Sequence, residues 1–243
     1  DPRREAGELL FPARLPRDVV ERDKKTLGEY AVAGQFQQRP APRGGGMFKR
    51  IWWNFYKTFV KGRPFETTDR PAVDLPDQLD WMVISVDAAF KSTNTGSRVG
   101  MFAIAGKGAL RFILANWTRP MTFGQTCQAI RDLMKEYPKC SRILIEDKAN
   151  GPAIIDTLRE EFAGIIAVNP EGGKESRASA IQPAVESGNV FLPEGAPWLD
   201  SFVTEFAMFP AAEHDDQVDA VSQALIYMNQ GADVARAMML GRY

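Results

Sequence analysis

The chain has 243 residues, 44% hydrophobic and 25% charged, with a net charge of -1, enough for one large domain or a domain with an appendage. That composition excludes wholesale disorder, a collagen-like repeat and a disulfide scaffold, and no apolar run approaches the roughly 20 residues that a bilayer demands. Two cysteines, Cys127 and Cys140, and one histidine, His214, are too few for structural zinc and point to a reducing compartment.

The charge is uneven. Residues 1–70 hold 15 Lys/Arg against 9 Asp/Glu, a balance of +6, and residues 71–243 hold 15 against 22, a balance of -7. A basic arm beside an acidic domain suggests a polyanionic partner at one end and clustered carboxylates at the other. The chain starts Asp-Pro-Arg-Arg, without an initiator Met or an apolar signal core, so it is expected to be a piece of a longer protein.

In chain order, Asp18 to Tyr30 reads as one amphipathic helix, and Pro40 to Gly46 as a linker. Trp52, Trp53, Phe55 and Tyr56, with Arg50 and Lys57, can stack on bases or fill a small core, and packing is the favoured reading. Trp81 to Asp87 is a nearly continuous apolar run ending in a carboxylate, as in a strand buried on both faces. Val99 to Ala105 and Leu110 to Trp117 are two further strands, joined by a hairpin at Gly106 to Ala109. Thr122 with Gln125 predicts a capping box, opening a helix that Pro138 stops. Arg142 to Glu146 is a fourth strand, Gly151-Pro152 starts a second helix, and Ile165 to Val168 is a fifth strand. Helices follow near 175–187, 197–207 and 216–229. This order predicts an α/β fold, a mixed five-stranded sheet with helices on both faces.

Three acidic positions stand out: Asp87 closing the first strand, Glu146 closing the fourth, and the segment His214-Asp215-Asp216-Gln217-Val218-Asp219 opening the last helix. Functional groups of open α/β sheets collect at the carboxyl ends of strands. If the first and fourth strands are parallel neighbours, Asp87 and Glu146 end side by side. Asp216 and Asp219, three apart on a helix, share a face toward the same edge. An oxygen-only donor set suits Mg²⁺ or Mn²⁺, and two such ions would support in-line phosphodiester hydrolysis. Each acid also has a structural alternative. Asp at a strand end is a common turn former, Asp215 or Asp216 can cap the helix, and Glu146 can pair with Lys148. Lys148, Lys174 and Arg177 are candidate phosphate contacts. Gly172-Gly173-Lys174-Glu175 lacks the leading Gly and final hydroxyl of an ATP-binding phosphate loop.

The stretches Leu27 to Tyr30, Phe36 to Pro40, Ile84 to Asp87, Ile145 to Gly151 and His214 to Ala220 together resemble the nuclease domain of the large terminase subunit of tailed bacteriophages, the DNA-packaging motor. The resemblance implies a ribonuclease H-like fold of the resolvase/integrase type. It also implies that Asp87, Glu146 and Asp216 are the main metal ligands, with Asp219 and Asp215 beside them. The implied function is endonucleolytic cutting of concatemeric viral DNA during packaging, in the host bacterial cytoplasm. Implied partners are double-stranded viral DNA, a preceding ATPase domain, the small terminase subunit and the procapsid portal. On this reading residues 1–72 are a basic arm resembling the ATPase tail, and 73–243 are the nuclease. Another ribonuclease H-like nuclease, such as a resolvase or transposase, and a non-catalytic DNA-binding or docking module with structural acids are the alternatives.

Overall fold

The computed structural model describes residues 9, 11–20, 22–23, 46–58, 71–88 and 97–239. The Leu27 to Tyr30 and Phe36 to Pro40 stretches, most of the expected Asp18 to Tyr30 helix and nearly all of the expected linker lie outside these residues; residues 17–20 and 22–23 are helical. The chain forms two compact units, 1–46 and 47–243, and the elements below belong to the second.

A 3-10 turn at Arg50–Trp52 leads into β1 (Asn54–Tyr56). The sheet continues with β2 (Trp81–Asp87), β3 (Ser97–Lys107), β4 (Leu110–Asn116) and β5 (Arg119–Met121). Then come α1 (Phe123–Glu136), β6 (Arg142–Glu146), α2 (Gly151–Leu158), β7 (Ile165–Val168), α3 (Lys174–Glu186), β8 (Val190–Pro193), α4 (Leu199–Met208) and α5 (Asp216–Met239). The strand order is β1-β8-β4-β3-β2-β6-β7, with β5 paired to β3. β2 runs antiparallel to β3 and parallel to β6.

Side chains alternate across β2, and each face has its own helices. Met82, Ile84 and Val86 pack with Cys127, Ile130 and Leu133 of α1 and Ile154, Ile155 and Leu158 of α2. Val83 faces the opposite layer, where Ile181 of α3, Phe202 and Phe206 of α4, and Val221 and Leu225 of α5 meet. The capping box is present: Thr122 accepts from the Gln125 N–H, and the Gln125 side chain accepts from the Thr122 N–H. Cys127 and Cys140 are free and buried. Among the described residues no helix is long and apolar enough to cross a membrane.

The sheet has eight strands rather than the five expected. The additional ones are β1, β5 and β8, each three or four residues long. They carry no alternation of their own and exist because longer neighbours offer an edge. The second compact unit begins at Met47. The cause is the aromatic cluster: Trp53, Phe55 and Tyr56 are all buried. Trp53 meets Phe202 and Phe206 edge-on, with centroids 5.2 and 5.1 Å away, and β1 lies parallel to β8. These aromatics are core, and no base-stacking surface is needed to account for them.

Candidate active site

The parallel pairing of β2 and β6 sets Val86 opposite Ile145. The residues that follow, Asp87 and Glu146, therefore leave the sheet side by side at its carboxyl edge. Across the antiparallel pair Asp87 stands opposite Gly100 of β3. A Cβ at Gly100 would collide with the Asp216 carbonyl oxygen and come within 3.1 Å of the Ala220 Cβ. The missing side chain is what lets the first turn of α5 lie against β3 beside Asp87. A buried polar network pins the same helix to the sheet one turn on: Ser85 Oγ donates to the Ala220 carbonyl at 2.7 Å, and Gln223 Nε2 donates to Ser85 Oγ at 2.9 Å.

Asp87 is 8% exposed. Burial, reinforced by the charges of Glu146, Asp219 and Asp216, pushes its carboxyl up to about 8, against an opposing pull from Lys174. The acids from β2, β6 and α5 thus act on one another electrostatically at a single edge. They are not arranged as an open cage: among the described residues no group of three or more His, Cys, Asp or Glu is disposed to hold a metal ion. The reason lies in their partners. Lys174 Nζ, on the first turn of α3, lies 2.6 Å from Asp215 Oδ2 and 2.8 Å from Asp219 Oδ2. Arg177 reaches Asp219 Oδ1 at 2.8 Å, and Arg98 of β3 reaches Asp216 Oδ2 at 3.0 Å. Burial alone would lower the Lys174 pKa, but its hydrogen bonds to Asp215 and Asp219 outweigh burial and raise it.

Asp216 and Asp219 share the first turn of α5 as expected, yet they engage different elements, β3 and α3. Lys174 and Arg177 adjoin the acids and are bound to them. Lys148 is exposed in the turn after β6, where Ala149 takes a positive φ of 52°. The backbone of Gly151 passes against the Glu146 carbonyl, leaving no room for a Cβ. His214 is exposed beside the acids.

Sequence reasoning missed Arg98, Glu205, Gln217 and Gln223. The capping role it offered Asp215 or Asp216 is filled from elsewhere: Glu205 of α4 accepts from the Gln217 N–H at 2.7 Å, a donor that a local cap would otherwise take. A signal for Glu205 was present. It lies three residues after Phe202 and one before Phe206, on the apolar face of its helix, where a carboxylate needs a buried partner.

The donor chemistry fits a hard divalent cation. The nearby groups are carboxylate oxygens, burial and the neighbouring acids oppose ionisation of Asp87 so that a cation would favour its charged form, and the cations already paired with Asp215, Asp216 and Asp219 show that this edge draws positive charge.

The terminase RNase H-like domain family matches residues 84–228. By sequence, no curated protein matches the chain. The chain is similar in fold to the large terminase nuclease of the thermophilic phage G20c with bound cobalt. The identity is 15% and the TM-score 0.53, covering 76% of this chain and 98% of that one. The same nuclease with bound magnesium gives 15% identity and a TM-score of 0.52, with the same coverage. The large terminase of a second thermophilic bacteriophage, in complex with ADP, matches at 11% identity and a TM-score of 0.52. There 88% of this chain covers 52% of that one, so the chain spans about half of that protein.

Proposed function

Because the chain belongs to the terminase RNase H-like domain family, we propose that it is an endodeoxyribonuclease that cuts concatemeric viral DNA during genome packaging, using two Mg²⁺ or Mn²⁺ ions. One juxtaposition supports the reading. Asp87 and Glu146 end neighbouring parallel strands, and Asp87 is close enough to Asp216 and Asp219 for all three other carboxylates to raise its pKa.

Asp87, Glu146 and Asp216 would be the main ligands, with Asp219 and Asp215 beside them. When bound, the ions would orient the attacking water and neutralise charge on the leaving oxygen. Asp87, buried at the end of its strand, would contribute a carboxylate oxygen. Asp215, now paired with Lys174, and Asp219, now paired with Lys174 and Arg177, would have to give up cationic contacts to hold an ion. Lys174 and Arg177, together with Lys148, would then be the chain's contacts to DNA phosphates. A preceding ATPase domain, the small terminase subunit, the portal and a setting in the host bacterial cytoplasm complete the proposal.

The test is plasmid nicking in Mn²⁺ by Asp87→Asn, Glu146→Gln and Asp216→Asn. Each is expected to abolish cutting while the fold is retained, and retained cutting by any one removes that residue from the site. The non-catalytic reading draws on the ion pairs that already satisfy three of the acids. It predicts neither carboxylate-dependent Mn²⁺ binding nor nicking, so the same series separates the two.

A further inference from the structure

Glu205 is a buried carboxylate, 7% exposed, on the helix face that also carries Phe202 and Phe206. Among the described residues, its hydrogen bonds and ion pair run to the start of α5 or to a residue that touches it. Oε1 accepts from the Gln217 N–H at 2.7 Å, and Oε2 accepts from Gln217 Nε2 at 2.6 Å and pairs with Arg98 Nη1 at 2.8 Å. The same Arg98 nitrogen donates to Asp216 Oδ2 at 3.0 Å. Gln217 Oε1 in turn accepts from Asn116 Nδ2 at 2.7 Å, so β3, β4 and α4 all converge on this one turn.

Fold stability is a poor reason for such an arrangement. A buried ion pair is usually no better than well-packed apolar side chains of similar volume, and Phe202 and Phe206 of the same helix already pack into the core. The arrangement does fix geometry. One oxygen of Asp216 is held by Arg98, and among the described residues Oδ1 is the oxygen left to a ligand. The charge of Arg98 is offset by Glu205, so the pair can orient Asp216 without repelling a cation.

We propose that Arg98 and Glu205 are positioning residues for Asp216: Arg98 sets the carboxylate's rotation, and Glu205 fixes both Arg98 and the Gln217 N–H in the first turn of α5. This inference rests on the metal-dependent nuclease reading. Partners of ligating carboxylates that do not themselves touch the metal commonly change metal affinity by about ten- to a hundred-fold. A loss of that size is expected for Arg98→Met, which removes the Arg98 contact to Asp216, and for Glu205→Gln, which leaves Asp216 as the charge facing Arg98 so that a cation must compete with it. Arg98→Lys keeps a charged nitrogen that can donate to both carboxylates and is expected to bind within about threefold of the unmutated chain.

The experiment measures Mn²⁺ affinity of the whole chain by calorimetry. It is run beside DNA binding without metal, thermal melting, and nicking as a function of Mn²⁺ concentration. Expected are weaker Mn²⁺ binding in Arg98→Met and Glu205→Gln, a nicking curve shifted to higher Mn²⁺ by the same factor, unchanged metal-free DNA binding, and recovery in Arg98→Lys. A purely structural role would lower melting temperature without moving the Mn²⁺ affinity of the folded chain. Unchanged or tighter Mn²⁺ binding in Arg98→Met and Glu205→Gln, or Arg98→Lys as weak as Arg98→Met, overturns the inference. If Arg98→Met fails to fold, Glu205→Gln and Arg98→Lys decide the matter by the same criteria. Failure of the unmutated chain to bind Mn²⁺ or nick DNA is a different result. It overturns the nuclease reading, and this inference with it.

Discussion

Lys174 Nζ lies 2.8 Å from Asp219 Oδ2 while Arg177 holds Asp219 Oδ1 at the same distance, so both oxygens of a carboxylate with 4% side-chain exposure are covered by cations. A divalent ion that uses Asp219 must displace at least one of them. Lys174→Met is therefore expected to bind Mn²⁺ more tightly than the unmutated chain, by about threefold or more, because a competing charge has gone. Its metal-free form is expected to melt lower, since a buried carboxylate has lost one of two partners. Calorimetric titration with Mn²⁺ checks the first and thermal melting in chelator the second. Weaker Mn²⁺ binding would mean that Lys174 supports the ion rather than competes with it.

The buried Asp87 carboxyl gives the metal-free chain a pH dependence of predictable sign. Its pKa in the folded chain is pushed up to about 8, against about 3.9 for an unperturbed aspartate. A group whose pKa rises on folding contributes stability that is fully present below its unfolded pKa and is lost as pH climbs through its folded pKa. Asp87 thus makes the metal-free chain progressively less stable between about pH 4 and pH 8. Asp87→Asn should flatten the melting temperature over that window, and saturating Mg²⁺ should flatten it for the unmutated chain by neutralising the carboxylate. A slope that persists unchanged in Asp87→Asn would assign the titration to another group.

What the sequence discloses, and what it hides, follows from the range of the forces involved. β2 and β6 are legible because strands buried on both faces must be apolar throughout, so the terminal Asp87 and Glu146 stand out. The α1 start is legible because Thr122 and Gln125 cap each other within one turn. β8 and β1 are not, because Val190–Pro193 and Asn54–Tyr56 become strands only by pairing with each other and, for β8, with β4. The acids of α5 can be picked out one by one, but their state cannot. Arg98 is 118 residues from Asp216 and Lys174 is 41 from Asp215, and no local pattern reports a pairing made by tertiary packing. For the same reason the ion pairs that hold Asp215, Asp216 and Asp219 cannot be read from the sequence.

Gly100 offers a test of how tightly the site depends on backbone approach. A Cβ there meets the carbonyl oxygen of Asp216, a helix backbone atom with no flexible end to yield. Gly100→Ala should push the first turn of α5 away from β3, costing about 1–3 kcal/mol of stability and weakening Mn²⁺ binding together. Gly124→Ala is the control: nothing lies within 4 Å of a Cβ at that position in α1, and it should be neutral or slightly stabilising. Equal behaviour of the two variants in melting and in Mn²⁺ titration would show that the α5 start tolerates displacement.

The segment before β2 is tied to the site through α4. Trp53 is fully buried and packs on Phe202 and Phe206, while Phe48 packs edge-on against Phe206 with centroids 5.0 Å apart. Glu205 sits between those two phenylalanines in the chain and holds the start of α5. Residues 47–243 alone should therefore melt cooperatively and bind Mn²⁺ as the whole chain does. Residues 73–243 lose Phe48, Trp53 and β1, one of the two parallel partners of β8, at once, and should melt far lower or not fold. Trp53→Ala, the single-residue version, should cost about 3–5 kcal/mol as a large core truncation. It should also weaken Mn²⁺ binding in the fraction still folded, because a loosened α4 lets Glu205 release Arg98 and the Gln217 N–H. Equal melting temperatures for 47–243 and 73–243 would place the aromatic segment outside the nuclease core and break this link between packing and metal affinity.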